Sequence, residues 1–278
     1  MANPVVHLRG SDSCLGRSLI SRLIRADVKI VIPDVDYQWA EQMFSTELKY
    51  SNSQLFKSEA TAIAQGHRVI LLGLGPYLSD AEQSSIGVDG SETILITPGF
   101  EKIDVDTSEI DSHLIISHMI PTACDDSWCC PVIQNWFNAI KNNESIASDL
   151  RPRHWWVSEM DAVDSIVRIL VSDQPFPSNA NISGRRAWSD DQTVEEMKLL
   201  FSRTMAGKSG MFSAQHLTTP PSPIIEVEAI SKVEDNEHPR PDLESIHQVL
   251  VACDGDGWRP LMPIRSALMM FLAGAMQE

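Results

Sequence analysis

A turn bounded by two glycines, Gly10-Ser11-Asp12-Ser13-Cys14-Leu15-Gly16, follows the apolar run Val5-Val6-His7-Leu8. Leu15, Leu19, Ile20, Leu23 and Ile24 then recur at helical spacing. A strand, turn and helix in that order point backbone N–H groups outward at a helix N-terminus, where they can bind an anion such as a cofactor pyrophosphate. Against that chemistry, Asp12 adds a negative charge to the turn, and Ser13 adds a side chain where close backbone approach is needed. Other groups able to move protons are scattered. His113, His118 and His154 stand alone, and no Gly-x-Ser-x-Gly surrounds a nucleophile. Cys124-Asp125-Asp126 carries adjacent carboxylates that point apart in a strand or loop, so no metal site is expected. Cys14, Cys124, Cys129, Cys130 and Cys253 fit neither a disulfide framework nor a zinc spacing. Free thiols of a cytoplasmic protein are the expectation.

The elements that must position these groups alternate. Val28–Ile32 is a second strand ending at Pro33-Asp34, which completes a β-turn-α-β unit. Arg68–Gly73, Thr93–Thr97 and Leu114–Ile116 are apolar throughout, as strands buried on both faces of a parallel sheet must be. Helices are expected over Gly16–Arg25, Tyr37–Glu47, Gln54–Gln65, Pro131–Asn142, Met160–Val171, Thr193–Ala206 and Ile264–Ala275, with Thr193 and Glu196 as a capping box. Short strands are expected at Trp155–Val157, whose tryptophans suit a core better than a stacked ligand, and at Asn181–Gly184. Residues 206–241 read as surface loop. Neither the stretch between Gly73 and Thr93 nor that between Thr97 and His113 holds a full-length amphipathic helix. The pattern is α/β, a doubly wound parallel sheet with a small C-terminal lobe and one or two flanking helices shortened or lost. Residues 1–120 are expected to form a Rossmann-like dinucleotide-binding region, and residues 121–278 a small substrate lobe with segments returning to the sheet.

The chain has 278 residues, enough for one large domain with a lobe. Its formal net charge of -16 argues against nucleic acid or anionic membranes as partners. No run of about 18 apolar residues exists to span a membrane, and the N-terminal residues lack the pattern of a signal peptide.

The order of segments resembles the extended short-chain dehydrogenase/reductase family, the NAD-dependent nucleotide-sugar epimerases and dehydratases with a Rossmann-like fold. Arg9-Gly10-Ser11-Asp12-Ser13-Cys14-Leu15-Gly16 is similar to the family's Thr-Gly-x-x-Gly-x-x-Gly, with Ser13 for the middle glycine and Arg9 for the threonine. Arg151–Met160 looks like the segment Arg-Asp-Phe-x-x-Val-x-Asp, with Glu159 near the usual aspartate. Arg240-Pro241-Asp242 followed by Gly257-Trp258-Arg259-Pro260 looks like the family's C-terminal motif, one residue short. The resemblance implies NAD contacts at Gly10, Ser13, Leu15, Gly16, Asp34, Val35 and Gly73. Asp34 would bond the adenosine ribose and so favour NAD over NADP. It also implies a nucleotide-sugar diphosphate held by Arg153 and Arg240. The family's Tyr-x-x-x-Lys pair is missing, for residues Glu41, Gln54 and Ala81 stand four places after Tyr37, Tyr50 and Tyr77. Catalytic residues are therefore unassigned. The expectation is a pseudoenzyme that binds NAD or a nucleotide sugar or acts as an interaction subunit. The alternative is an active oxidoreductase or epimerase using Thr97 or His118 as acid/base. The lost helices leave an apolar sheet face needing cover, which points to a homo- or hetero-oligomer or a rearranged loop.

Overall fold

The computed structural model describes residues 4–73, 78–83, 90–101, 110–123, 128–147, 153–217 and 240–276. Strand β1 (Val5–Arg9) leads into α1 (Cys14–Ile24), β2 (Lys29–Ile32), α2 (Asp34–Met43), α3 (Ser45–Tyr50) and β3 (Gln54–Lys57). Strand β4 (His67–Leu72), the single turn α4 (Asp80–Gln83), β5 (Glu92–Pro98) and β6 (Ser112–Ile116) follow. The second half carries β7 (Met119–Ile120), α5 (Pro131–Lys141), β8 (Val157–Ser158), α6 (Glu159–Leu170), β9 (Asn179–Ile182), α7 (Asp190–Ser209), α8 (Glu244–Asp254) and α9 (Ile264–Ala275).

Seven strands form one parallel sheet in the order β3-β2-β1-β4-β5-β6-β9. The order reverses between β1 and β4, so the C-terminal ends of those two strands, at Gly10 and Gly73, border the crevice where such sheets bind ligands. The fold is thus doubly wound, as the alternation of elements predicts. Among the described residues no helix is long and apolar enough to cross a membrane.

Alternation along the strands sorts the sheet into two unlike faces. Val6, Leu8, Ile30, Ile70, Ile94, Leu114 and Ile182 join one core cluster with Leu19 and Leu23 of α1, Ile166 of α6 and Leu250 of α8. The other face carries His7, Arg9, Val31, Val69, Leu95 and Thr97, all buried. Leu71, His113 and Ile115 on the same face are half-buried, so its cover is less complete than that of the first. A second core gathers Ile133 and Phe137 of α5, Val194 and Met197 of α7, and Leu268 and Phe271 of α9 around Trp156.

Several local expectations change. Gln54–Lys57 is not the start of a helix but an edge strand, paired from Lys29↔Gln54 to Ile32↔Lys57. Helix-forming residues yield there to a sheet edge that offers four backbone partners, the usual way tertiary context overrides propensity. Helix α7 begins a turn before Thr193. Its capping box is Ser189 with Gln192, while Thr193 is buried inside the helix and accepts a hydrogen bond from Trp156 Nε1 at 3.0 Å. Trp155 and Trp156 are buried core residues just before the two-residue strand β8. Residues 244–254, to which the sequence pattern gave no element, form α8, which ends at Gly255 in the left-handed region (φ 90°). Cys14, Cys130 and Cys253 are free thiols, as expected, but Cys129 is disulfide-bonded, against expectation.

Candidate functional site

The turn after β1 has the backbone shape a dinucleotide loop needs. Gly10 lies at φ +78°, and a Cβ there would stand 2.9 Å from Leu72 Cβ. At Gly16 a Cβ would meet the Gly10 carbonyl at 2.3 Å, so only glycine lets α1 approach the turn this closely.

Several polar groups in and around the turn are engaged within the chain. Ser13 is the N-cap of α1: its Oγ accepts from Gly16 N–H (3.1 Å) and donates to the Gly10 carbonyl (2.7 Å). Ser11, fully buried, donates to the Asp36 carboxylate. Asp34, first residue of α2, accepts from Glu59 N–H at 3.1 Å and Ser58 Oγ at 3.4 Å, with Lys57 Nζ at 3.9 Å. Its carboxylate thus ties α2 to the end of β3. Leu15 is wholly buried, Val35 is 86% exposed, and Gly73 lies at φ +80° with open space where a Cβ would be. The residues present fit the turn a dinucleotide requires, while Ser13, Ser11 and Asp34 also make contacts within the chain.

Beneath the turn lies a buried cluster that sequence patterning missed. Arg9 pairs with Glu82 of α4, and its Nη1 donates to the carbonyls of Leu8 (2.8 Å) and Val31 (3.3 Å). His7 Nδ1 lies 2.5 Å from the same Glu82 oxygen, and His7 Nε2 lies 3.0 Å from His67 Nδ1. Burial first, then the Arg9 cation, lowers the His7 pKa to about 4. His7 is therefore neutral near pH 7, donating from Nδ1 to Glu82 and accepting at Nε2 from His67. Burial also lowers Arg9 to about 10, partly offset by Asp36 and Asp34. The only sequence signal was the placing of charged residues in a strand otherwise fit for the core.

The two candidate acid/base groups differ in setting. Thr97 is 1% exposed, and its Oγ1 is 2.8 Å from His113 Nε2, whose pKa burial lowers. His118 sits in the left-handed region (φ 55°) just past β6, its ring 5.2 Å from that of His154. His154 Nε2 bonds Asp190 Oδ1 at 2.8 Å, and Arg153 donates to both Asp190 oxygens, from Nε to Oδ1 at 3.0 Å and from Nη2 to Oδ2. Burial alone would raise the Asp190 carboxyl, but hydrogen bonds and charge from Arg153 and His154 hold it below the usual range.

The expected diphosphate pair is not brought into one recess. Arg153 is held by Asp190, whereas Arg240 lines a recess of about 500 Å³ with Arg185, Glu244 and His247. Glu159 is fully buried. It accepts from Ser18 of α1 and from Thr122 N–H (2.7 Å), joining α6 to α1 and to the segment after β7. Trp258 of the C-terminal motif is buried and donates from Nε1 to the Ser183 carbonyl at 3.0 Å.

No family model and no curated protein matches the chain. Solved structures do match in fold. UDP-glucuronic acid 4-epimerase from Bacillus cereus, in complex with UDP-glucuronic acid and NAD, superposes with a TM-score of 0.55 at 12% identity, over 98% of this chain and 99% of that one. An engineered reductase for asymmetric catalysis gives 0.54 at 7% identity, over 99% and 100%. The terminal R domain of the myxalamid biosynthetic pathway gives 0.52 at 10%, over 99% and 90%. The fold is thus the Rossmann-like α/β fold shared by these epimerases and reductases. Identities so low establish the fold alone.

Proposed function

We propose that the protein is a non-catalytic relative of the extended short-chain dehydrogenases/reductases, an interaction subunit whose cofactor loop has become internal structure. The observation that carries this reading is Ser13. Its hydroxyl bridges Gly10 and Gly16 and fills the cap of the helix that would otherwise face a pyrophosphate. The absent Tyr-x-x-x-Lys supports it from the chemical side. Calorimetric titration with NAD tests it. No heat at millimolar NAD is expected, whereas micromolar binding abolished by Asp34→Ala would overturn the reading and revive an oxidoreductase using Thr97 or His118.

A second reading, nucleotide-sugar binding, is favoured by the Arg185–Arg240 recess, where neither guanidinium makes an ion pair among the described residues. UDP-glucuronic acid is the probe. Binding lost in Arg240→Ala supports it, and no binding removes it. We place the protein in the cytoplasm on its free Cys14, Cys130 and Cys253; the disulfide at Cys129 pulls the other way.

A further inference from the structure

A recess of about 950 Å³ lies away from the turn after β1, between α1, α6 and the segment from Asp254 to α9. Its charge is unusual for this chain. Four arginines and four aspartates line it, and no lysine, histidine or glutamate does. A chain of net charge -16 therefore carries a locally neutral patch there. Two copies approaching anywhere on their average surface repel, but at this patch they do not.

Part of the balance is spent internally. Arg22 pairs with Asp164, Arg168 with Asp254 (2.6 Å), and Asp161 accepts from the N–H groups of Leu261 (2.8 Å) and Met262. Arg25, Arg259 and Asp256 remain, with no side-chain hydrogen bond or ion pair among the described residues, although the Asp256 charge also acts on Arg168. Two of these, Arg259 and Asp256, are exposed and sit on one short rim of the recess. The same rim raises Leu261, 75% exposed, beside Met160 at 48% and Met270 at 36%. An apolar knob next to a hollow, with an exposed cation and an exposed anion on one rim, suits a two-fold interface, in which each copy supplies both halves of every contact. Methionines add side chains that adapt to an incoming surface.

We propose that this recess is the interface of a homodimer, in which Leu261 of each copy enters the hollow of the other and Arg259 meets the partner's Asp256. The inference does not depend on whether the turn after β1 takes a cofactor. Size-exclusion chromatography with light scattering, over a concentration series, tests it. The expected result is a dimer that Leu261→Glu converts to monomer, with an unchanged circular dichroism spectrum because this side chain faces solvent in the single chain. Arg259→Asp should raise the dimer Kd by about tenfold, and Arg259→Asp/Asp256→Arg should restore it. A wild-type chain that stays monomeric at high concentration overturns the proposal. So does a dimer whose Kd Leu261→Glu leaves unchanged. A double reversal no better than the single one overturns the two-fold pairing.

Discussion

The two faces of the sheet are built from the same strands yet hold together by different physics. On one, Val6 and Leu8 meet α1 and α6 through an unbroken apolar layer. On the other, the alternate residues of the same strand are His7 and Arg9, buried as deeply and joined to Glu82. The first face gains from area removed from water, whatever the details of fit. The second gains only while each charge keeps its partner, because a lone buried charge costs more than a pair returns. The comparison teaches that burial by itself says little about what stabilises a strand.

The largest expected effect breaks the polar face. Glu82→Ala leaves Arg9 buried without its carboxylate and should lower the unfolding free energy by about 3–5 kcal/mol in urea titration. The triple variant His7→Val/Arg9→Met/Glu82→Leu should recover most of that loss, because it makes the second face resemble the first. On the apolar face, Leu8→Ala should cost about 2–5 kcal/mol by the same measurement, with no comparable rescue by a polar partner.

Acid sharpens the contrast further. Folded His7 titrates near 4 against an ordinary 6.5, so the unfolded chain binds more protons between those values. Stability is complete above about pH 6.5 and is lost as pH falls toward 4, on the order of 3 kcal/mol for this residue. His67 and His113, both lowered by burial, act with the same sign. Urea midpoints measured from pH 7 to 4 should fall steeply in the wild type and less steeply in His7→Leu. The smallest effect tests the turn above the cluster. Ser13→Ala removes a helix cap and should cost about 1 kcal/mol.

Much of the fold was legible in the chain. The unit β1-α1-β2 declares itself through a change of apolar period from strand to helix, and α9 falls on the residues its spacing predicts. β3 was not legible, because Leu55 and Phe56 lie in a stretch of helix formers and only the exposed edge of β2 decides their state. The cap of α7 was placed one turn late, since Ser189 and Gln192 offer the same signature as Thr193 and Glu196, and tertiary packing buries the latter threonine. Of the candidate site, Gly10 and Gly16 could be read from type and spacing. That Asp34 binds the β3 end and Arg153 binds Asp190 could not, because those partners meet only when distant segments fold together. Glu82 was invisible for the same reason: nothing near it in the chain marks it as the partner of β1.

Gly274 of α9 lies so close to the backbone at Thr122 that a Cβ there would stand 2.3 Å from the Thr122 carbonyl. That contact closes the second core across more than half the chain, and it gives synthesis an order. Strands β1 to β6 can pair as they leave the ribosome, while Phe137, Trp156 and Met197 must wait for Leu268 and Phe271. During that interval their apolar surface is open to solvent and to chaperones.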